Sequence, residues 1–442
     1  MKLNELKDLL RESGVVGMGG AGFPSYAKLS SEADTIILNC AECEPLLKVH
    51  RQVLEAYTYE ILTALSELLV VTGAKRGIVA IKAHYRSAVE ALEAEIGAFP
   101  NLSIHKLRAV YPAGDELILI KEVTGRLVPP GKLPVSVGVT VCNVESAYNI
   151  YRAMEGRPVT HKYVTVAGEV ATPKTLKVPV GTKISELLRA AGGVTVADYA
   201  LISGGPMMGK LVRDGDVITK TTNAILVLPA DHSVIRTKKL NPRINLKRTM
   251  SVCCHCRTCT DLCSRHVMGY PVEPHSVMRV LSNGGRGDLK VLEGSLYCSG
   301  CGLCETFSCP QGLSPKLMID QLKAAARANG VKPPLDVPTD PNRKDADLKK
   351  VSVERLTTRL GLNRYDVEAP ICDEAMTPDS VKLMLLQNLG APAEAIVGVG
   401  DRVSKGDMIA EAKDKSLSVA LHASIDGVVD SVTDQYITIK TR

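Results

Sequence analysis

Cys253-Cys-His-Cys-Arg-Thr-Cys-Thr-Asp-Leu-Cys263 and, further along, Cys298-Ser-Gly-Cys-Gly-Leu-Cys-Glu-Thr-Phe-Ser-Cys-Pro310 are the stretches on which the reading of this chain turns. The first follows C-x2-C-x2-C-x3-C and the second C-x2-C-x2-C-x4-C. Three thiolates on successive short turns can wrap three corners of an iron–sulfur cube, and a distant fourth closes it. In two-cluster ferredoxins that fourth ligand comes from the other motif. The spacing therefore assigns Cys253, Cys256, Cys259 and Cys309 to one [4Fe–4S] cluster, and Cys298, Cys301, Cys304 and Cys263 to a second. Zinc is the alternative, since it also takes four thiolates, but zinc ribbons use C-x2-C pairs and not triplets. Ser264 stands where such motifs usually carry Pro, and one extra residue precedes Cys309; neither departure removes a ligand. Cys254 and His255 read as packing residues, with ligation or tuning as the other option. The isolated Cys142 and Cys372 read as structural thiols.

Around this module the composition is that of a folded, multidomain chain. The 442 residues are 45% apolar, and 54 basic residues are interleaved with 48 acidic ones for a net charge of +6. Aromatics make up 4%, with no Trp, which disfavours a nucleic-acid-binding face. Met1–Arg11 alternates charge with leucine and lacks a signal-peptide core, and no apolar run is long enough for a membrane span. Closely spaced cysteines without an export signal point to metal binding in a reducing cytoplasm.

Residues 1–160 alternate β-rich runs (Thr35–Cys40, Gly77–Lys82, Val137–Cys142) with helical periodicity over Gln52–Thr72 and Ser87–Gly97, the pattern of an α/β domain. Residues 161–230 read as a compact β-grasp: a strand at Tyr163–Val170, a turn, then a short helix at Ile184–Ala191 closed by Gly192-Gly193. The basic stretch His232–Arg248 reads as a linker. Residues 249–329 form the cysteine module, ending in a helix at Pro315–Asn329. Residues 330–380, opening with the Pro-, Asp- and Lys-rich Val331–Lys350, read as an exposed connector. From 381 to 442 two turn-bounded β halves describe a small sandwich. Lys415 near its hairpin tip suggests a lipoyl-type attachment site, but the spacing to Asp426-Gly427 is one residue too long, so docking or packing is the favoured role.

Gly14-Val-Val-Gly-Met-Gly-Gly-Ala-Gly-Phe-Pro24 is a dense glycine loop of the kind that brings backbone N–H groups close to a phosphate, although glycine clusters also serve as plain turns. Polar turns at Asn39-Cys-Ala-Glu-Cys-Glu-Pro45, Tyr111-Pro-Ala-Gly-Asp-Glu116 and Asn143-Val-Glu-Ser146 each follow a β-like run, where an α/β sheet binds its ligand.

Taken together with Pro129-Pro-Gly131, Ile202-Ser-Gly-Gly-Pro-Met-Met-Gly209 and the cysteine motifs, these residues resemble a known family over nearly the whole chain. It is the family of flavo-iron–sulfur proteins that includes the RnfC component of Rnf electron-transport complexes and propanediol-utilisation cobalamin reductases, related to the complex I flavoprotein. The resemblance implies a multidomain α/β fold: a Rossmann-like FMN/NADH domain, a β-grasp (SLBB) domain, a two-cluster ferredoxin-like α module and a C-terminal barrel-sandwich hybrid. It implies that Gly17, Gly19, Gly20, Gly22 and Lys28 hold phosphate, with Asn39 and Asn143 nearby. Glu42, Glu116 and Glu145 would line the flavin–nicotinamide pocket, joined by Glu44, Tyr111, Gly114 and Asp115. Ala41 stands where complex I relatives have Asp, and Cys43 resembles the Rnf-like branch.

The sandwich lies at the C-terminus, which resembles the microcompartment reductase more than the membrane complex. The implied activity is NADH-dependent reduction, with electrons passing through FMN and two [4Fe–4S] clusters to cobalamin or a corrinoid enzyme. The implied location is the cytoplasm, inside a bacterial microcompartment with a shell-protein partner. The alternative is a relay component of an Rnf-like NADH:ferredoxin assembly. No side chain is nominated as catalytic, because the cofactors carry the chemistry, and no motif encodes the final acceptor.

Overall fold

In a computed structural model, which describes residues 1–335 and 337–441, the chain begins with a four-stranded parallel sheet. Its strand order is Leu102–Leu107, Arg76–Lys82, Thr35–Cys40, Val139–Asn143. Ile36, Ile37, Leu38, Val79, Ile81 and Val139 are buried in it, the near-continuous apolar runs of a sheet covered on both faces. The second and third strands in the chain step outward to one side of Thr35–Cys40, and Val139–Asn143 returns to its other side. The strand order therefore reverses beside Thr35–Cys40, opening a crevice at the C-terminal strand ends where such sheets bind ligands.

Helical periodicity over Gln52–Thr72 resolves into two helices, Val49–Ala56 and Thr58–Thr72. The break is at Tyr57 (φ −134°), whose ring stacks on Tyr148 at 4.2 Å and whose hydroxyl bonds Tyr163 and Asp373. Those tertiary contacts rotate Tyr57 out of helical geometry, which periodicity does not register.

The β-grasp domain contributes strands His161–Gly168, Lys174–Pro179, Tyr199–Ser203, Lys210–Val212 and Ala224–Pro229 to a six-stranded sheet. Its sixth strand is Ile371–Ala375, which pairs in parallel with Lys174–Pro179. The exposed connector expected over 330–380 is thus only partly so. Val351 pairs with Tyr111, and Leu356, Leu360, Leu362 and Tyr365 are buried against Leu226, Leu228 and Ile235.

The linker expected over His232–Arg248 is replaced by helices Ser233–Lys238 and Pro242–Val252. Asn241 caps the second by accepting from the N–H groups of Arg243 and Ile244, and Pro242 occupies its first turn, where its missing N–H costs nothing.

The C-terminal sandwich consists of two small sheets around Val381, Leu383, Ile409, Leu421, Ile437 and Ile439. It docks on the glycine loop rather than standing apart. Arg11 donates to the carbonyl of Lys413 at 2.8 Å, and Ala420 N–H donates to the carbonyl of Arg11 at 3.0 Å. Lys415 sits on an exposed turn of this docked hairpin.

Lys220 closes the three-way junction of flavin-type domain, β-grasp and sandwich. Its ammonium is buried and donates to the carbonyls of Gly14 (2.8 Å) and Ala420 (3.1 Å). Gly14 has φ +72°, and a Cβ there would lie 2.5 Å from both the Lys220 Nζ and the Ala420 oxygen, so only glycine fits. Burial pushes the Lys220 pKa down from 10.5 to about 7. Between those values the unfolded chain binds more protons than the folded one, so stability should rise as pH climbs from about 7 towards 10.5. Lys220→Met lacks this titration. Urea midpoints at about pH 7 and about pH 9 should show wild type gaining on the variant at the higher pH; a pH-independent difference would count against this account.

Candidate functional site

The crevice at the sheet's switch point gathers most of the polar turns singled out above. At the tip of the glycine loop, Gly19 and Gly20 are exposed, while Gly17 and Gly22 shape the loop from behind. Gly17 donates its N–H to the carbonyl of Phe23, and Gly22 backs onto Thr221 and Gln387 of the neighbouring domains. A Cβ on Gly19 would fall 2.4 Å from the Asn143 side-chain nitrogen, so the loop lies directly on the end of strand Val139–Asn143. Met18 N–H and the carbonyl of Val16 both bond the Ser146 hydroxyl, which clamps the loop to the following helix.

Lys28 reaches the same edge, pairing with Glu116 at 2.9 Å and donating to the carbonyl of Val141. Asn39 holds the next strand end, donating to the carbonyl of Gly114 (2.9 Å) and accepting from Ala41 N–H. Glu42 is buried and adopts φ +28°. One of its carboxylate oxygens accepts from His50 N–H at 2.9 Å, and the other has no partner among the described residues. His50 in turn contacts Asn143 at 3.2 Å, and burial holds its pKa below the usual histidine value. Lys82, at the end of the neighbouring strand, is buried and donates to the carbonyl of Glu42.

Two acidic residues expected in the pocket are engaged elsewhere. Glu145 forms a buried ion pair with Lys162 of the β-grasp domain and accepts from Tyr163 N–H. Glu44 accepts from the N–H groups of Met207 and Met208, with Gly205 pressed against it so closely that a Cβ there would overlap its side chain. Both carboxylates fasten the β-grasp domain to the strand ends. His50, Lys82 and Lys162 were not singled out from the sequence: their roles depend on partners far away in the chain, and no local pattern marks them.

Tyr111–Glu116 is where the sheet meets the cysteine module. The Tyr111 hydroxyl donates to the carbonyl of Cys301 at 2.7 Å. Asp115 caps the helix Glu116–Thr124 through the N–H groups of Leu117 and Ile118, and its other oxygen pairs with Arg265 at 2.9 Å. Ser264, the departure from the usual proline, places its hydroxyl 3.6 Å from the Cys301 sulfur.

The eight motif cysteines gather in two groups, each with members from both motifs. Cys253, Cys256, Cys259 and Cys309 line one cavity. Burial and the nearby Cys309, Cys256 and Cys253 push the Cys259 thiol up to about 12. In the other quartet, burial raises Cys263, with Cys301 and Cys298 adding repulsion. Cys304 is likewise raised by burial and, among its neighbours, by Cys298, Cys301 and Cys263. Thiols held this way stay protonated until a cationic centre offsets their mutual repulsion. Among the described residues no three His, Cys, Asp or Glu side chains converge tightly enough to hold a single metal ion. Cys254 and His255, expected to pack, are exposed instead, because His255 (φ +53°) and Arg257 (φ +63°) turn this loop outward.

The residues present fit both cofactor types. The exposed Gly19–Gly20 tip, with Lys28 beside it and an unpartnered Glu42 oxygen, suits a flavin phosphate and a polar ring edge. The quartets suit clusters. Cys309→Ala should lower iron and acid-labile sulfide per chain by roughly half and leave the electron paramagnetic resonance signal of the Cys263-containing quartet in place. Loss of all iron, or of none, would refute two separate four-thiol sites.

Comparison with known proteins agrees with this geometry. Four family models match: the Nuo51 FMN-binding domain over residues 10–152, the SLBB domain over 163–211, a 4Fe-4S dicluster domain over 252–314 and the RnfC barrel sandwich hybrid domain over 364–442. The chain is 41% identical to cobalamin reductase PduS of Salmonella typhimurium, across 99% of its own length and 97% of the relative's. It is also 41% identical to cobalamin reductase PduS of Citrobacter freundii, across 98% and 96%. A component of the Na(+)-translocating ferredoxin:NAD(+) oxidoreductase complex of Acetobacterium woodii is 31% identical over 62% of this chain and 61% of that relative. A solved NAD+-reducing [NiFe]-hydrogenase in the H2-reduced state superposes with a TM-score of 0.51 at 18% identity, covering 77% of this chain and 69% of that one, which shows a shared fold. Among the described residues no helix is long and apolar enough to cross a membrane. The chain belongs to the cobalamin reductase PduS family, oxidoreductases in which an FMN-binding domain and an iron–sulfur dicluster domain are joined in one polypeptide.

Proposed function

We propose that this chain is an NADH-dependent reductase that delivers single electrons to cobalamin or a corrinoid enzyme by way of FMN and two [4Fe–4S] clusters. When bound, FMN supplies the exchange between paired and single electrons, and the clusters supply one-electron transfer. The protein's part is placement. Gly19, Gly20 and Lys28 offer donors and positive charge to a phosphate, while Asn39, Glu42 and Asn143 present polar groups at the strand ends. Gly17, Gly22, Gly114 and Glu116 set the shape and charge of the loops around them. Glu44 and Glu145 anchor the β-grasp domain beneath the crevice.

The observation that carries this reading is the segment Tyr111–Asp115. It borders the crevice through Gly114, and it bonds the buried quartet through Tyr111–Cys301 and Asp115–Arg265. One rigid turn therefore separates the place for a hydride acceptor from the first thiol ligands. A microcompartment location, with a shell protein as neighbour, belongs to the same proposal and rests on the resemblance to propanediol-utilisation reductases alone.

The relatives among ion-translocating complexes support a second reading, a relay component working between protein partners. Anaerobic reconstitution followed by rapid-mixing absorbance separates the two. NADH should bleach the flavin and then the clusters, and aquacobalamin added next should be reduced. An unbleached flavin would exclude NADH as donor. Bleaching without corrinoid reduction would favour the relay.

A further inference from the structure

Residues 232–260 contain seven Arg and Lys and no Asp or Glu, although basic and acidic residues are nearly balanced over the whole chain. The helix Pro242–Val252 carries much of this charge. Its inner side is fixed to the cysteine module: Asn245 exchanges hydrogen bonds with Ser314 at 3.1 and 3.0 Å, and Thr249 is buried. Its outer side presents Arg243, Lys247 and Arg248 to solvent. Flanking them stand Ile244 and Met250, which are 58% and 63% exposed. Isolated exposed apolar residues need no explanation, but two flanking a stripe of cations on one short helix make a patch.

The helix runs directly into Cys253, and Arg248 donates to the carbonyl of Gln311 beside Cys309. Cys254, His255, Cys256 and Arg257 are exposed on the adjoining loop and line the same cavity as Cys253, Cys259 and Cys309. The other quartet faces inward. Cys263, Cys301 and Cys304 are 7%, 8% and 5% exposed, and their loops are bonded to Tyr111 and Asp115 at the edge of the sheet. One quartet thus adjoins the crevice and the other adjoins solvent at a basic, apolar-studded face.

We infer that the outer side of helix Pro242–Val252, with the Cys254–Arg257 loop, is the docking face for an acidic electron-carrying protein. The inference rests on the electron-transfer reading above and names the partner of the outward quartet. NADH leaves as NAD+ and a proton, and its two electrons depart singly, so one NADH serves two docking events. Charge complementarity selects the partner: a cationic face accelerates encounter with an acidic one, and Ile244 and Met250 provide apolar contact once the surfaces meet. Nucleic acid is disfavoured, because residues 242–257 include no Phe, Tyr or Trp on which bases could stack.

The test measures binding separately from turnover. Reconstituted full-length protein is immobilised anaerobically and titrated with two acidic carriers, a flavodoxin and a plant-type [2Fe–2S] ferredoxin, between about 20 and about 200 mM salt. At least one should bind, and more weakly as salt rises. Arg243→Glu with Lys247→Glu should weaken low-salt binding about tenfold or more and flatten the salt dependence. Met250→Asp should weaken binding at every salt concentration. NADH-to-ferricyanide turnover should stay unchanged in these variants. Lys183→Glu with Lys210→Glu, exposed on the β-grasp domain, is the charge-matched control. Absence of salt-sensitive binding by wild type, or equal weakening in the control, would overturn the proposal. Flavin bleaching by NADH in the same preparation reports on the underlying reading: its absence with binding intact rejects the donor and leaves the docking face standing.

Discussion

Each thiol quartet draws three members from one cysteine motif and the fourth from the other, so neither is complete until residues 253–263 and 298–309 pack together. The rest of the molecule is arranged around that constraint. Cys309 must return to Cys259, and Cys263 must reach Cys298, Cys301 and Cys304, which brings the two motifs face to face. Helices Pro242–Val252, Pro274–Ser282 and Pro315–Ala328 brace the module. Burying Cys263, Cys301 and Cys304 close together is unfavourable for their ionised forms. A metal centre bound there would offset that charge, and its binding would then be coupled to the stability of this module.

The joints between domains are polar, and each uses a buried charge or a bond to a backbone carbonyl. Glu145 and Lys162 join the flavin-type domain to the β-grasp, Lys220 joins both to the sandwich, and Asp115 with Arg265 joins the sheet to the cysteines. Removing one partner of a buried pair leaves the other charge stranded, which costs more than the pair contributes. Such contacts are directional, so they set the relative orientation of domains in a way that apolar contact does not. In an electron-transfer protein orientation has a direct consequence, because it determines which thiols lie next to the flavin-type crevice and which face outward.

In several segments tertiary contacts override the local signal, each for an identifiable reason. The stretch His232–Arg248 is basic, polar and contains proline, the composition of a linker. In the structure Pro242 starts a helix, and Asn245 and Thr249 supply the buried side that hydropathy did not reveal. Tyr57 breaks a helix because tyrosines from distant segments meet there. Residues 351–375 looked like part of a connector but complete a neighbouring sheet and core.

The sequence alone determined the α/β domain with polar turns at its strand ends, the cysteine-rich dicluster domain, and the presence of a β-grasp and a terminal sandwich. These are local properties, carried by spacing, glycine content and periodicity within short windows. Only the tertiary structure decided that Glu44 and Glu145 fasten domains, that Lys220 bonds backbone carbonyls at a three-domain junction, and that one quartet is enclosed while the other meets solvent. Those outcomes depend on which distant groups share a low-dielectric interior. That is a property of the packed chain, and no single stretch of residues carries it.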